Sequence, residues 1–128
     1  MKDEEMLSLI ARFRRAYAHA DKAGLSSVTS DDFEWHMHYG DPESDSPTGR
    51  VLVGIDAMME EIQWRRANWQ DVTYENMVER IAGDSILQMF TTSGIDENGD
   101  RYHVNVVDVY PVRDGLITRK DTYWKGVR

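Results

Sequence analysis

The sequence contains no cysteine. This absence excludes a disulfide scaffold, a thiolate nucleophile and a metal site with cysteine ligands, and it suits the reducing cytoplasm, where we expect the protein to reside. No apolar run approaches the roughly 20 residues that a membrane-spanning helix needs. The first ten residues, MKDEEMLSLI, are too acidic and polar for a signal peptide. We therefore expect no membrane partner.

Positive charge is also in short supply. Lys and Arg total 15 against 23 Asp and Glu, which gives a formal net charge of −8. A phosphate backbone would be repelled, so no nucleic-acid partner is expected. A chain of 128 residues is long enough for one core and too short for two, and we expect a single domain over residues 1–128.

Two helices are predicted from apolar residues that recur every three or four positions. The first spans residues 3–23, and Gly24 fits the position just past its end. Residues 25–32, LSSVTSDD, suit a short link. The second spans residues 55–68. The inward residues are Met6, Leu9, Ile10, Phe13, Tyr17 and Ala20 in the first helix and Met58, Met59 and Ile62 in the second.

Strands are predicted where apolar and polar residues alternate. In residues 33–40, FEWHMHYG, the residues Phe33, Trp35 and Met37 share one face, and His36 and His38 share the other. Residues 41–49 are loop-like, and RVLVG (50–54) is a short strand. Longer strands follow at 72–82, 85–95, 101–112 and 116–124, and Asn98-Gly99 is a strong hairpin signal between two of them.

Helices followed by a long antiparallel meander indicate an α+β fold, with a curved antiparallel sheet wrapped around the N-terminal helices. Such a cone encloses an internal pocket, which is the default position for a small-molecule site. Four Trp and seven Met would give this pocket a soft, adaptable wall. The expected partner is therefore a small apolar organic ligand.

One carboxylate interrupts the apolar strand YHVNVVDVYPV, residues 102–112. Burying an ionised Asp108 costs several kcal/mol unless it is paired, hydrogen-bonded or neutralised. Because Asp108 shares a strand face with Val106 and Tyr110, we expect it to line the cavity. It is either an acid whose pKa is raised by burial or a structural Asp that is hydrogen-bonded to Tyr17 or a neighbouring strand.

Three segments carry a resemblance to a known family: residues 9–35 (LIARFRRAYAHADKAGLSSVTSDDFEW), 97–100 (ENGD) and 106–124 (VVDVYPVRDGLITRKDTYW). They resemble the nuclear-transport-factor-2-like (NTF2-like) superfamily, and within it the ketosteroid isomerase and SnoaL-like polyketide cyclase branch. The resemblance covers roughly residues 6–127 and implies a cystatin-like cone. Isomerases, dehydratases, cyclases and non-catalytic subunits share this fold. The resemblance is therefore weak evidence for any particular reaction.

The resemblance also implies roles for particular positions. Asp108 falls where the isomerase keeps a protonated aspartic acid that donates to a developing oxyanion. Trp124 falls at a pocket tryptophan. The isomerase's oxyanion tyrosine falls on Phe13 and its catalytic base on Met37, and neither side chain can perform that chemistry. The chain is therefore not expected to be a standard ketosteroid isomerase.

The missing base has several candidates. Tyr17 and Asp21 lie one helical turn apart, and dehydratase-like relatives place a Tyr or Asp on this helix. Asp21 also matches an ordinary residue that caps or solvates a helix end. His38 and Asp121 are further candidates. His36 and His38 are separated by one residue, but no third ligand has suitable spacing for a metal.

The orientation of the last strand is left open by the sequence. Lys120, Thr122 and Trp124 share one face, and Asp121 and Tyr123 lie on the other. If the first set faces inward, Lys120 lies near Asp108 and keeps it ionised. A β-bulge would bring Asp121 inside instead.

The sequence thus predicts a small-molecule-binding protein, and specifically a cofactor-free isomerase, dehydratase or cyclase that uses acid–base chemistry on an apolar carbonyl or hydroxyl compound. The alternative is a non-catalytic ligand-binding or dimerisation module. No cofactor or metal is expected. We expect a homodimer that forms through the outer face of the sheet. The catalytic candidates are Asp108, Tyr17 and Asp21, and the predicted pocket residues are Phe13, Trp35, Met37, Met58, Ile62, Met89, Val106, Tyr110, Lys120 and Trp124.

Overall fold

The computed structural model describes residues 1–39 and 46–125. Two helices open the chain, α1 (Asp3–Ala18) and α2 (Lys22–Ser26). The predicted helix over residues 3–23 ends early because Ala20 adopts a left-handed backbone, with φ of 50°, which no right-handed helix can continue. The predicted link over residues 25–32 is shorter than expected, because α2 extends to Ser26 and the first strand begins at Thr29.

Asp21 begins the second helix. Its side chain accepts a hydrogen bond from the backbone N–H of Gly24 at 3.1 Å, which satisfies one of the free donors at a helix start. Gly24 lies within α2 and not past the end of the first helix as predicted. Its lack of a side chain leaves room for the cap, since a Cβ there would lie 2.6 Å from the Asp21 carboxylate.

Six strands form one sheet with the order β2-β1-β6-β5-β4-β3. Neighbouring strands are antiparallel except β1 and β6, which are parallel. The third helix, α3 (Gly54–Asn68), connects β2 to β3. The strands are β1 (Thr29–His38), β2 (Arg50–Val53), β3 (Gln70–Ala82), β4 (Ser85–Ile95), β5 (Arg101–Arg113) and β6 (Leu116–Trp124).

The predicted α+β architecture is confirmed. The strands β4 and β6 have the predicted bounds, whereas β1 begins at Thr29 and not at Phe33. Residues 41–45 of the predicted loop lie outside the described residues. In the described residues, no helix has the length and apolar composition needed to cross a bilayer.

The core forms between the helices and one face of the sheet. Phe33, Trp35 and Met37 on β1 are fully buried, as their alternation predicts. They belong to one apolar cluster with the α1 stripe and with Met58 and Ile62 of α3. The sheet face that carries these residues therefore defines the inside of the cone.

Cross-strand register places Asp108 on this inner face. Asp108 lies opposite Gln88 of β4 and Thr122 of β6, and all three are buried. Residues opposite one another in a sheet point to the same side. The register thus aligns three polar side chains from three strands at one level of the sheet.

The next row of the register faces outward. Met89, Val107 and Tyr123 are cross-strand neighbours and are 36%, 38% and 44% exposed. Met89 therefore does not line the pocket as predicted, because Gln88, one position earlier, is the β4 residue that faces inward. The homodimer expected through this outer face stays a prediction.

The two histidines of β1 lie on the outer side, as their alternation predicts. His36 is nonetheless nearly buried, with its ring nitrogens 3.0 Å from the Thr48 carbonyl and 2.9 Å from the Glu34 carboxylate. His38 lies 3.1 Å from Asp121 and stacks on Tyr123. Neither histidine reaches the inside of the cone.

Asp21→Ala should lower the free energy of unfolding by about 1 kcal/mol, because α2 loses its N-terminal cap. Asp21→Asn keeps an accepting oxygen and should stay close to the unmodified protein. Urea unfolding followed by circular dichroism measures both. Equal losses in the two variants would contradict a capping role.

Candidate functional site

The cone contains a cavity of about 460 Å³ between the inner sheet face and the helices α1 and α3. Its walls are mainly aromatic, with Phe13, Tyr17, Trp35, Trp69, Tyr74, Phe90, Tyr102, Tyr110 and Trp124. Ala18, Ile62, Val72, Met77, Thr92 and Thr122 complete the uncharged part of the lining. This volume suits a ligand of a few fused or linked rings.

Most of the predicted site residues meet at this cavity. Those that line it are Asp108, Tyr17, Phe13, Trp35, Ile62, Tyr110, Lys120 and Trp124. Met37, Met58 and Val106 are buried but do not reach it, and Asp21 is exposed at the start of α2. Met37 lies behind Arg65, which donates to its sulfur at 3.3 Å.

Asp108 is fully buried at the cavity floor and accepts hydrogen bonds at both oxygens. Lys120 Nζ donates to Oδ2 at 2.7 Å, and the Thr122 hydroxyl donates to Oδ1. Thr122 in turn accepts from Trp35 Nε1 at 2.9 Å, so its single proton is free to go to Asp108. A carboxylate that only accepts, beside an ammonium, is an ionised partner in a buried ion pair.

The last strand turns Lys120, Thr122 and Trp124 toward the cavity. Asp121 lies on the outer face with His38 and Tyr123. Of the two arrangements that the sequence left open, the structure has the one in which Lys120 pairs with Asp108.

Lys120 is the cation at the cavity floor. Its Nζ also donates to the Tyr110 hydroxyl at 2.9 Å, and it lies 5.1–5.5 Å from the ring centroids of Tyr17, Trp35 and Tyr110. These distances are those of cation–π contacts. Burial lowers the pKa of Lys120, and the charge of Asp108 opposes that shift.

Tyr17 supplies a second polar group to the cavity. Its ring packs against Phe13 and edge-on against Trp35. Within residues 1–39 and 46–125, its hydroxyl has no hydrogen-bond partner. Because burial raises the pKa of Tyr17, this hydroxyl stays protonated at neutral pH and can donate to a ligand.

Arg65 of α3 forms one side of the cavity. Its guanidinium lies 4.9 Å from the Trp35 ring and 4.6 Å from the Trp69 ring. Its Nε donates to the buried Glu61 carboxylate at 2.8 Å. The aromatic faces of Trp35 and Trp69 are thus occupied by a cation that belongs to the protein.

The charged side chains of the described cavity lining are mostly basic. They comprise Arg14, Arg65, Arg66 and Lys120 against one carboxylate, Asp108. Three of the four are ion-paired: Lys120 with Asp108, Arg14 with Glu79 and Arg65 with Glu61. The described residues place no histidine in the lining, and they contain no cluster of three or more His, Asp or Glu suited to a metal ion. An acidic protein therefore has an aromatic cavity with basic side chains in its wall, most of which are held by carboxylates.

Sequence reasoning missed Arg65, Trp69, Tyr74, Tyr102 and other parts of the wall. Helical spacing could have found Arg65, because it follows the predicted pocket residue Ile62 by three positions on α3. Trp69 lies just past the end of α3, where no periodicity applies. Tyr102 closes over Gly94, where a Cβ would lie 2.5 Å from its hydroxyl.

The fold has well-matched solved relatives. An NTF2-like protein from Burkholderia xenovorans has a TM-score of 0.81 at 20% identity, over 98% of this chain and 92% of that chain. TerC, co-crystallised with polyporic acid, has a TM-score of 0.74 at 17% identity, over 94% and 92%. A protein of ketosteroid isomerase-like fold from Catenulispora acidiphila, in complex with trimethylamine, has 0.69 at 14%, over 91% and 85%. These likenesses define the NTF2-like fold.

The family is given by the sequence. A family model described as SnoaL-like domain matches residues 10–120. The chain belongs to the SnoaL-like family, which confirms the resemblance drawn from its three segments. No curated protein matches the chain.

Lys120→Met should lower the free energy of unfolding by about 3–5 kcal/mol, because it leaves the Asp108 charge buried without its partner. The double variant Asp108→Leu/Lys120→Met should recover much of this loss, since no buried charge remains. Urea unfolding of the two single variants and the double variant measures the coupling.

Lys22→Met is the matched control, because Lys22 pairs with Asp56 at the surface and both side chains are well exposed. It should change stability little. A double variant no more stable than Lys120→Met would contradict a buried ion pair.

Proposed function

We propose that this protein binds a flat, largely apolar ring compound that carries an acidic oxygen, such as a phenol or an enol, and holds it as its anion. We further propose that the protein carries out cofactor-free acid–base chemistry next to a carbonyl, namely isomerisation, dehydration or cyclisation. One observation carries the proposal: Lys120 is held by Asp108 at the floor of an aromatic cavity.

The hydrogen-bond donors at the cavity floor support an oxygen anion as the ligand group that is recognised. Lys120 donates two hydrogen bonds, to Asp108 and Tyr110, and an ammonium has three donors. The third donor and the Tyr17 hydroxyl are available to a ligand oxygen. Two such donors, fixed in place before a reaction, would stabilise a developing oxyanion.

This proposal gives Asp108 a different role from that of the isomerase aspartic acid. Asp108 accepts from Lys120 and Thr122, so it orients the donor and does not itself donate. Lys120 then takes the position of the oxyanion donor, with Tyr17 assisting. The apolar Phe13 and Met37 are compatible with this arrangement, because the polar groups come from β5, β6 and a later turn of α1.

The two liganded relatives differ in the charge of what they hold. TerC was crystallised with polyporic acid, and the Catenulispora protein contains trimethylamine. In this chain the faces of Trp35 and Trp69 are already occupied by Arg65, and Lys120 faces Tyr17. A cationic amine would meet cations there, so an acid is the better fit.

Binding of 4-nitrophenol tests the proposal, because the ionised and neutral forms of this ligand absorb at different wavelengths. The protein should bind the phenolate and lower the apparent pKa of the ligand. The neutral analogue 4-nitroanisole should bind more weakly. Tyr17→Phe should weaken phenolate binding by about tenfold, as expected for one hydrogen bond to a charged oxygen, and leave 4-nitroanisole binding unchanged.

Tyr123→Phe is the matched control, because Tyr123 is exposed on the outer sheet face and its hydroxyl donates to Asp121. It should bind both ligands like the unmodified protein. Preference for the neutral phenol, or equal effects of the two tyrosine variants, would refute anion binding at this site.

A specific observation also favours a non-catalytic binding module. Among the described lining residues, Asp108 is the one carboxylate and is engaged at both oxygens, and none is a histidine. A free general base is therefore missing from the described lining.

Deuterium exchange beside the carbonyl of 2-tetralone separates the two functions. An enzyme of the proposed type should accelerate exchange in deuterated water, followed by NMR, and Tyr17→Phe should slow it by about tenfold. The Tyr123→Phe control should exchange at the full rate. A protein that binds 2-tetralone without accelerating exchange is the binding module.

A further inference from the structure

We propose that Lys120 forms an imine with an aromatic aldehyde or ketone in the cavity, with Asp108 carrying the protons of the reaction. This inference rests on the proposed function in one respect, which is that a ring compound with an oxygen substituent enters the cavity. It adds a covalent step and a substrate class, aryl carbonyl compounds.

Lys120 is placed for this reaction in a way that sets it apart from the exposed lysines. It is the one lysine among the described cavity-lining residues, and its side chain is 8% exposed. Lys22, by comparison, has a side chain that is 61% exposed. A ring that packs against the aromatic wall brings a carbonyl carbon attached to it close to Nζ.

An amine attacks a carbonyl only in its neutral form, and the cavity offers a route to it. Asp108 Oδ2 is 2.7 Å from Nζ, so one proton transfer along this hydrogen bond gives a neutral amine beside a neutral acid. Burial lowers the pKa of Lys120, so the neutral pair lies closer in free energy to the resting ion pair than it would in water. A desolvated lysine is an activated nucleophile.

The step balances without any further reactant. The Nζ lone pair forms a bond to the carbonyl carbon, and the carbonyl π pair moves to oxygen, which takes the proton held by Asp108. The nitrogen returns a proton to Asp108, which gives a neutral carbinolamine. The nitrogen lone pair then expels the hydroxyl group, which leaves as water with that proton. The products are an iminium ion, water and the Asp108 carboxylate.

The site suits the iminium product as well as the resting amine. The positive charge stays on the same nitrogen, beside the Asp108 carboxylate and the rings of Tyr17 and Trp35. No buried charge is created or lost overall, which avoids a large desolvation cost. An iminium ion also acidifies the adjacent C–H bond, so it would activate a ketone without the tyrosine that Phe13 replaces.

Trapping by reduction tests the inference. The full chain is incubated at neutral pH with 2-naphthaldehyde and sodium cyanoborohydride, and adducts are located by intact mass and peptide mapping. We expect one fast adduct per chain, at Lys120, formed about tenfold faster than any adduct at the exposed Lys22, because a desolvated lysine is the activated nucleophile. An excess of 2-naphthol should protect Lys120 and leave Lys22 unaffected.

Lys120→Arg keeps the positive charge and removes the nucleophilic amine, so the fast adduct should disappear. The protection by 2-naphthol needs no variant and tests the site even if Lys120→Arg does not fold. Modification of Lys120 no faster than Lys22, or a fast adduct that 2-naphthol does not block, would overturn the inference.

The two proposals fail in distinguishable ways. If 4-nitrophenol binds as its anion and no adduct forms at Lys120, the imine inference is refuted and the binding proposal stands. If the adduct forms at Lys120 and 4-nitrophenol does not bind as its anion, the imine inference stands and the anion-binding proposal is refuted.

Discussion

The buried ion pair between Asp108 and Lys120 is the constraint on which the rest of the site depends. Two charges removed from water cost several kcal/mol each, and mutual attraction offsets that cost only with close geometry and satisfied hydrogen bonds. Both conditions hold here, because Nζ and Oδ2 are 2.7 Å apart and Thr122 and Tyr110 complete the shell. The pair couples β5 to β6 and fixes which side of each strand faces the cavity.

The proposed ligand preference of the cavity rests on the same pair. A lone carboxylate in an apolar chamber would be protonated and would donate a hydrogen bond, as in the isomerase to which the sequence bears a resemblance. With Lys120 beside it, the Asp108 carboxylate orients the ammonium group, and the ammonium is the proposed hydrogen-bond donor to the ligand. Arg65 adds a second cation between Trp35 and Trp69. The proposed preference for acidic oxygens follows from these cations and from the Tyr17 hydroxyl in the cavity wall.

The bounds of elements with a clear apolar periodicity could be predicted closely. The bounds that depend on a local change of backbone conformation could not. The strands β4 and β6 have the predicted bounds, and tight turns mark both ends of β4 and the start of β6. The end of α1 was missed because the left-handed turn at Ala20 leaves the apolar spacing unbroken. Asp21 was a catalytic candidate because it was placed on one continuous helix. In the structure it caps the N-terminus of a separate helix, α2. Met89 was expected inside, but its register with Val107 turns it outward.

The sequence by itself determined the α+β layering, the inner face of β1 and the anomaly of a carboxylate among valines, because periodicity is a local property of the chain. It left open whether Asp108 is hydrogen-bonded to Tyr17 or a neighbouring strand, or is paired with Lys120 of the last strand. Only the tertiary structure decided that Lys120 is that partner, that β1 lies parallel to β6, and that Arg65 and Trp69 complete the wall. Register and long-range packing bring together residues distant in sequence, and no local pattern records which alignment has the lowest free energy.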